Sequence, residues 1–538
     1  MMNGQEQPRD AERLYVIIPQ DDLLFPSLTP RETFRFIARL RLGDDVSLED
    51  KYEAVERIIE RLSLKGCADT PVGSEDSRGL SGGEKKRTSI GCEVLVNPPI
   101  LLVDEPTSGL DSETAHSVVL VLKRLAHDEG RTVITVIHQP AWRTFCLFDY
   151  LVLFQGGRVV YEGRAAQCEH YMSKIGYVAP ERANPIDFYF SALQKDGGAA
   201  FHSHWVKEIA ARSDGSFPAG GKAAAPQRRR HSLLPDILVA LEAERANQAT
   251  SRFTQFRVLL ERATRDYVKD ASKLQANLQV KVVIGVVVGI IWLNQARGKL
   301  VNRSTFIVEG AMFASVYTLV IETLTAVVQT YPLQRPILNR EYRNRYYSVE
   351  PYFFADLLTR TAYEVLVAFA MCTPLYLLIG LGPSLEQYLV FMATVALLTF
   401  YSIATGLIIG TRAADIHQAN ILIVPFVLPF HVFSGFFLPL DELPAFLKWM
   451  YFASPFQYAL SAMKLNQWHD VSFSDCKPLA GGCPSSCYPN GKTYLEDTHA
   501  DTFVLGANLG ILALFSATVA TLALVSTRAA VAQKLREG

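Results

Sequence analysis

Four long stretches without a charged side chain constrain this sequence more than any other feature. They contain no Asp, Glu, Lys or Arg, and they run over Val365–Leu385, Gln387–Thr411, Ile416–Leu440 and Thr502–Thr527. An α-helix needs about 20 predominantly apolar residues to cross the hydrocarbon core of a bilayer. Each stretch reaches that length, so the second half of the chain is predicted to span a membrane.

Two weaker candidate spans precede these four stretches. One lies at residues 274–293 and contains Lys281, and the other lies at 306–329 and contains Glu309 and Glu322. The third span is expected to begin near Phe353, which gives six transmembrane helices. The apolar piece Ala445–Phe456 is too short to span and is interpreted as a re-entrant or interfacial segment.

Charged residues inside these spans have two interpretations. Asp356 and Arg360 have the i, i+4 spacing of a helical ion pair. Glu309, Glu322 and Glu364 either line a cavity or make structural hydrogen bonds. The structural interpretation is preferred for each of them.

Basic residues between the spans predict the orientation, because cytoplasmic loops are enriched in Lys and Arg. Three groups fall on one side of a six-span topology: Arg335, Arg340, Arg343 and Arg345; Arg412; and Arg528, Lys534 and Arg536. The loop with Arg297, Lys299 and Arg303 disagrees. The other side then carries Cys476, Cys483 and Cys487, a cluster typical of disulfides in an oxidising compartment.

The first half of the chain has a different character. The 538 residues carry 53 Lys plus Arg and 54 Asp plus Glu, and this balance excludes a nucleic-acid binder that relies on bulk positive charge. Residues 1–195 alternate helical patterns, such as Tyr52–Leu62 and Thr114–Ala126, with short apolar runs. The runs are Tyr15–Ile18, Ile100–Val103, Val133–Ile137 and Tyr150–Leu153. They predict strands buried on both faces of a parallel sheet in an α/β nucleotide-binding fold.

Polar residues follow three of these apolar runs, and a glycine-containing loop begins one of the helical patterns. Gln20 follows the first run, Asp104 and Glu105 follow the second, and His138 follows the third. A carboxylate at a strand end can hold Mg²⁺, and the next one can polarise an attacking water. Ser81, Gly82 and Gly83 open a helical pattern, where a hydroxyl and freed backbone amides can approach phosphate. Asp111 follows the carboxylate pair and is expected at an interface between two such domains.

The order of these motifs resembles the ATP-binding cassette. LSGGEKKR at 80–87, LLVDEPTSGLD at 101–111 and IHQP at 137–140 carry the resemblance. A cassette placed before the membrane helices resembles the G subfamily of ABC half transporters. Further matching segments are NPIDF at 184–188, Arg340–Glu341 and FSG at 433–435. The implied fold is an incomplete α/β P-loop-type nucleotide-binding domain followed by an all-α six-helix transmembrane domain.

The resemblance also implies residue roles and ligands. Gln20 is the Q-loop glutamine and joins Asp104, the Walker B carboxylate, at Mg²⁺. Glu105 is the catalytic base and His138 the switch histidine. Ser81, Gly82 and Gly83 form the signature that contacts the partner's ATP, and Asp111 is the D-loop aspartate. The implied protein is a dimer that hydrolyses ATP and exports a lipid, sterol or hydrophobic small molecule, with no nucleic-acid partner. Its cassette is cytosolic, and its membrane is the plasma membrane or an organelle membrane.

One expected motif has no match. The family's Walker A loop, G-x-x-x-x-G-K-[ST], precedes the Q-loop, whereas the nearest segment here, GSFPAGGKA at 215–223, follows the cassette and has the wrong spacing. We expect an N-terminally truncated sequence, and a naturally degenerate half transporter is the alternative. In both cases the chain would bind ATP poorly by itself, yet a complete partner could still use Ser81 and Gly83 to contact its own ATP. A catalytically impaired regulatory subunit is therefore the alternative function.

Two segments are predicted between the domains. Residues 196–250, rich in Ala, Gly, Ser and Arg, are typical of a flexible cytosolic linker. Residues 251–272 are predicted to form an amphipathic connecting helix, with an apolar face formed by Phe253, Phe256, Leu260, Ala263 and Tyr267. The transmembrane domain then occupies 273–530, with an outer loop at 441–501. Phe426, Phe430, Phe433, Phe436 and Phe437 either line an apolar path or pack as ordinary membrane-helix residues.

Overall fold

The computed structural model describes residues 15–74, 77–180, 184–195, 201–207, 250–269, 271–297, 302–473 and 488–537. They divide into two units, Met1–Ser251 and Arg252–Gly538. The division falls next to the predicted connecting helix.

Three parallel strands organise the first unit. They are β1 (Tyr15–Ile18), β2 (Ile100–Asp104) and β3 (Thr132–Val136), in the order β1-β2-β3. Ile18 pairs with Val103, and Asp104 pairs with Val136. The predicted runs therefore form strands, and all three end at one edge of the sheet.

Four helices belong to the same part of the unit. They are α1 (Pro30–Arg41), α2 (Leu48–Arg61), α3 (Gly82–Val94) and α4 (Ser112–Asp128), and α2 and α4 confirm two predicted helical patterns. Each begins at a side chain that caps its free backbone amides: Thr29, Ser47, Ser81 and Asp111. Helix α3 packs beside β1, and α4 packs beside both α3 and β3. These contacts place the capped ends of α3 and α4 next to each other.

The strand predictions are wrong in two respects. Ile134 and Val136 of β3 are more than half exposed, so the described residues cover only one face of that strand. The run at 150–153 belongs to β4 (Tyr150–Gln155), which pairs antiparallel with β5 (Arg158–Arg164) instead of joining the parallel sheet. Gly156 and Gly157 connect them with φ of 54° and 74°, the left-handed pair that a two-residue hairpin turn requires.

A second core follows the hairpin. Helices α5 (Trp142–Phe145), α6 (Cys168–Lys174) and α7 (Pro185–Lys195), together with helical residues 201–207, pack beside it. Its buried aromatic side chains include those of Trp205, Tyr161 and Phe201. This aromatic core makes the end of the first unit a small subdomain of its own.

The described part of the second unit consists mainly of helices, with one isolated β-bridge between Ser472 and Asn490. Its long helices are α8 (Arg252–Lys269), α9 (Ala271–Ile291), α10 (Asn302–Arg343), α11 (Val349–Ile379), α12 (Leu385–Arg412), α13 (Ile416–Val432) and, at the end of the chain, α17 (Leu505–Glu537). Five of them, α9 to α12 and α17, are long and apolar enough to cross a membrane, whereas the apolar helix α13 has only 17 residues. The total of six spans therefore stays a prediction.

Helix α10 is longer than a membrane requires. Its 42 residues correspond to about 63 Å at 1.5 Å per residue. Arg335, Arg340 and Arg343 consequently lie within the helix, not in a loop between spans. The helix continues through Pro332 and Pro336.

The predicted outer loop is partly helical. It contains α14 (Lys448–Ala453), α15 (Pro455–Trp468) and α16 (Gly491–Asp497). The sequence analysis missed α15, a helix that is buried along almost its whole length. Cys476, Cys483 and Cys487 lie outside the described residues, as does most of the predicted linker at 196–250.

The connecting helix is present as α8, and four of the five residues of its predicted apolar face are partly buried. The buried side chains are Gln255, Val258, Leu259 and Arg262, whereas Phe253 is exposed. Arg262 donates two hydrogen bonds to the Glu341 carboxylate, at 2.8 and 2.9 Å. A polar partner 79 positions away in the sequence therefore orients the helix, which apolar periodicity does not reveal.

Candidate functional site

The three predicted strand-end side chains form one contiguous group. Gln20 Nε2 donates to Glu105 Oε2 at 2.8 Å, and His138 Nε2 lies 2.8 Å from Glu105 Oε1. They meet because each follows one of three adjacent parallel strands. Gln20 therefore contacts one carboxylate oxygen of Glu105, the predicted base, and His138 contacts the other.

The backbone at this edge is conformationally strained. Glu105 has φ of 40° and Gln139 has φ of 39°, values that cost roughly 1–3 kcal/mol each for a residue with a side chain. The Glu105 N–H donates to the Val136 carbonyl at 3.1 Å, which ties the turn after β2 to β3. Strain of this kind is typical of sites where the backbone fixes the direction of a reactive side chain.

Ser108 is a site residue that the sequence analysis did not identify. Its hydroxyl accepts a second hydrogen bond from Gln20 Nε2, at 3.2 Å. The Ser108 N–H donates to the Glu105 carbonyl at 3.1 Å, so a tight turn returns Ser108 towards the strand ends. A small hydroxyl residue three positions after a strand-end acid is the available sequence signal, and it is a weak one.

The donor set suits Mg²⁺, which prefers oxygen ligands. Asp104 ends β2 with an exposed carboxylate. The amide nitrogen of Gln20 faces Glu105 and Ser108, so its amide oxygen is the atom left for a metal. The chemistry of both residues therefore fits the predicted metal role.

Ser81 caps the signature helix α3 in a reciprocal arrangement. Its hydroxyl lies 3.4 Å from the Glu84 N–H that it caps, and the Ser81 N–H donates to Glu84 Oε2 at 2.8 Å. Burial of the Glu84 carboxylate opposes ionisation, but hydrogen bonds from Ser81 outweigh it and lower the pKa of Glu84. The Ser81 hydroxyl also donates to Glu84 Oε2 at 2.8 Å, so it must turn away from Glu84 before it can donate to a phosphate.

The two signature glycines have a packing role. A Cβ atom on Gly83 would lie 2.2 Å from Thr114 Cγ2, and one on Gly82 would lie 2.9 Å from Leu110 Cδ2. Helices α3 and α4 can approach this closely only without those side chains. Close packing is a second reason for glycine at both positions, besides the approach of backbone amides to phosphate that the sequence predicts.

Asp111 is used inside the chain as the cap of α4. Its carboxylate accepts from the Thr114 hydroxyl at 2.6 Å and from the N–H groups of Thr114 and Glu113 at 3.0 and 3.1 Å. The hydrogen bond from the Thr114 hydroxyl is the main cause of the lowered pKa of Asp111. Thr114 therefore contacts both Asp111, through hydrogen bonds, and Gly83, through its methyl group. The position of Asp111 between two cassettes stays a prediction.

Most of the charged side chains singled out within the apolar helices have partners, but Glu364 has no hydrogen bond or ion pair among the described residues. Asp356 and Arg360 form the predicted i, i+4 pair at 2.7 Å. Glu322 of α10 pairs with Lys281 of α9. Glu309 pairs with Lys464 and accepts from the Tyr494 hydroxyl. Structural pairing, the interpretation preferred from the sequence, is confirmed for these groups.

His431 of α13 is a polar side chain that the sequence analysis overlooked. It is 3% exposed, and its ring centroid lies 4.1 Å from that of Phe313 and 4.6 Å from that of Tyr317. Within the described part of the chain, neither ring nitrogen has a hydrogen-bond partner. A buried imidazole without a partner is costly in an apolar site, which is the signal of a position where a ligand or water can bind.

Comparison with known proteins agrees with both halves of the chain. The ABC transporter family model matches residues 2–108, and ABC-2 type transporter models match residues 254–468 and 138–201. The protein white of Ceratitis capitata is 32% identical over 505 residues, which cover 92% of this chain and 72% of that protein. The ABC transporter G family member 14 of Arabidopsis thaliana is 30% identical, over 95% and 78% of the two chains. The broad substrate specificity ATP-binding cassette transporter ABCG2 of Mus musculus is 29% identical, over 88% and 74%.

The fold, the site and the relatives together show that this chain is a membrane transporter driven by an ATP-binding cassette. Within that class, the chain belongs to the G family of ABC half transporters. ATP binding and ATP hydrolysis coupled to transport are the general activity of this family.

Proposed function

We propose that this chain is one half of a dimeric exporter that uses ATP hydrolysis to move a lipid, sterol or hydrophobic small molecule across a membrane. The observation that carries the proposal is the position of Glu105 between Gln20 and His138, at the ends of three adjacent strands. The same chain continues into apolar helices of membrane-spanning length. A base for ATP hydrolysis and a membrane pathway therefore belong to one polypeptide.

The proposed chemistry assigns one task to each side chain. Glu105 accepts a proton from the water that attacks the γ-phosphate. Gln20 and His138 each contact one oxygen of its carboxylate and so fix the orientation of the group, and His138 is exposed enough to contact the phosphate. Asp104 and the Gln20 amide oxygen would hold Mg²⁺, which neutralises charge on the phosphates when bound.

An aromatic cluster supports the proposed cargo class. Phe436 stacks on Phe313 with ring centroids 4.5 Å apart and on Phe306 at 5.6 Å. Phe437, which meets Phe313 edge-on, is exposed. Of the five phenylalanines considered in the sequence, Phe436 and Phe437 therefore lie together against α10, where an apolar molecule would find aromatic surface.

His431 refines the cargo to an apolar molecule with at least one hydrogen-bonding group. The imidazole lies against Phe313 and Tyr317 with both nitrogens unsatisfied within the described residues. A hydroxyl or amide on the cargo would satisfy one nitrogen, as sites that discriminate polar analogues do. Replacement of His431 by Phe should keep the fold and reduce transport of a hydroxylated probe more than transport of its deoxy analogue.

In the proposed orientation the cassette lies in the cytosol, and the apolar helices cross the plasma membrane or an organelle membrane. It rests on the basic side chains at the end of α10 and on Arg412 and Arg528. Labelling of Cys483 by a membrane-impermeant thiol reagent, after reduction of intact cells, tests it. For protein located in the plasma membrane, labelling only after permeabilisation would refute this orientation.

A second candidate is a regulatory subunit that only assists a complete partner. The family resemblance implies that each ATP lies between one cassette's phosphate loop and the other cassette's signature. A catalytic chain therefore needs its own Glu105, whereas a regulatory chain needs only its Ser81.

One reconstitution separates the two candidates. The full chain is paired in vesicles with a complete G-type half transporter whose own catalytic glutamate is replaced by glutamine, and ATPase activity and uptake of a fluorescent sterol are measured. Activity that Glu105→Gln lowers by about 10²–10⁴-fold supports the exporter. Activity that appears only with an unmodified partner and is blocked by Ser81→Asp supports the regulatory subunit, because aspartate preserves the helix cap but repels phosphate. No activity in either pairing contradicts both.

A further inference from the structure

A buried lysine joins the signature helix to the residue that contacts the base. The Lys86 side chain is 3% exposed, and lysine is rarely so buried without a partner. Its ammonium donates to the Gln20 backbone carbonyl at 2.5 Å and lies 3.0 Å from Asp22 Oδ1. Lys86 belongs to α3, only five residues after Ser81.

Gln20 consequently has two different attachments. Its backbone carbonyl is held by Lys86, while its side-chain amide is held by Glu105 and Ser108. A displacement of α3 moves the Lys86 ammonium and therefore moves the backbone from which the Gln20 amide projects. A charge-assisted hydrogen bond shielded from water is strong enough to transmit such a displacement.

We propose that Lys86 is a positioning residue that couples the signature helix to the Gln20–Glu105 contact. The proposal rests on the proposed roles of Ser81 and Glu105, which belong to different ATP sites if two cassettes share their nucleotides. Within one chain, the path runs from the Ser81 cap through α3 to Lys86, then to Gln20 and finally to Glu105. Engagement of Ser81 at one site thereby sets the geometry of the base at the other.

The neighbouring lysine provides a matched control. Lys85 is on the same helix and also donates to a backbone carbonyl, that of Gly73, at 3.3 Å. Gly73 has no part in the strand-end group. Lys85→Met therefore removes a charge and a hydrogen bond of the same kind without touching the path to Glu105.

Hydrogen–deuterium exchange of the full chain in nanodiscs, without nucleotide, measures the coupling directly. Lys86→Met should speed exchange of the amides at 20–25 by about tenfold and leave those of β2 and β3 unchanged, and Lys86→Arg should restore protection. Lys85→Met should not affect 20–25. Equal loosening of β2 and β3 would show a purely structural lysine and overturn the proposal, as would no change at 20–25.

Kinetics give the readout that a structural role would not alter. In a pairing whose ATPase depends on Glu105, Lys86→Met should lower kcat about tenfold with an unchanged KM for ATP, and Lys86→Arg should recover it. A loosened 20–25 segment with normal kcat overturns the proposal. If Lys86→Met does not fold, Lys86→Met with Asp22→Asn removes both charges and takes its place. Failure of the proposed transport function leaves the exchange result intact, so the two failures are distinguishable.

Discussion

Removal of the Glu341 carboxylate is expected to destabilise the second unit strongly. Arg262 and Glu341 are 6% and 3% exposed and share two hydrogen bonds at 2.8 and 2.9 Å. The Tyr347 hydroxyl donates to the same carboxylate. Glu341→Ala therefore removes the carboxylate that pairs with the buried guanidinium and accepts from the phenol. Loss of one partner from a buried pair costs about 3–5 kcal/mol.

Thermal unfolding in detergent at one scan rate measures this loss. At roughly 2–4 °C per kcal/mol for a unit of this size, Glu341→Ala should lower the apparent Tm by about 10 °C. Arg265→Met is the control, because Arg265 and Glu261 form a more exposed pair on the same helix at 3.2 Å. An exposed i, i+4 pair contributes about 0.3–0.5 kcal/mol, so this variant should lose about 1–2 °C.

The double variant Arg262→Met with Glu341→Leu tests the electrostatic explanation itself. Apolar residues of similar volume avoid the unpaired charge, and such replacements are often neutral or stabilising. The double variant should therefore unfold well above Glu341→Ala. The reasoning is wrong if the double variant is as unstable as the two single variants combined, or if Glu341→Ala resembles Arg265→Met.

Three further changes have predicted outcomes. Gly83→Ala should destabilise the cassette by about 1–3 kcal/mol through overpacking. Adding Thr114→Ser should rescue it, because serine lacks the methyl group that the new Cβ meets but keeps the hydroxyl. Urea unfolding of the wild type, the two single variants and the double variant measures both effects. Because the pKa of Glu84 is lowered in the folded protein, its carboxylate contributes stability that is present above the ordinary pKa and is lost as pH falls through the lower folded value. Glu84→Gln should therefore make the Tm depend less on pH in the acid range. An unchanged dependence would contradict the role of Glu84 in the cap. Gly435 has φ of 90°, so Gly435→Ala should cost about 1–2 kcal/mol, measured as a lowered Tm in detergent.

The strand-end group was predictable because the rules behind it are local and topological. Each strand is a short apolar run that ends in a polar residue, and parallel strands in one sheet end at one edge. Gln20, Glu105 and His138 therefore had to meet once the runs formed adjacent strands. Their contact at 2.8 Å follows from topology more than from any side-chain preference.

Other features depend on contacts that no local pattern contains. Lys85 and Lys86 are adjacent in the sequence, and only the packing of α3 beside β1 decides that Lys86 is the buried one. The run at 150–153 looks like a buried strand, yet the Gly156–Gly157 turn returns the chain into an antiparallel hairpin. The face of α8 that is buried is likewise chosen by the distant Glu341.

Three acidic side chains and one histidine within the apolar helices differ in what surrounds them. Asp356, Glu322 and Glu309 each have an oppositely charged neighbour, so the membrane unit already offsets the cost of burying them. His431 is as deeply buried, but its neighbours are aromatic rings and offer its nitrogens no hydrogen bond within the described residues. A position that serves only packing would be better filled by phenylalanine or leucine. The cost of the imidazole is offset when a polar group reaches it, and the proposed cargo, with a hydroxyl or amide group on an apolar body, would supply that contact.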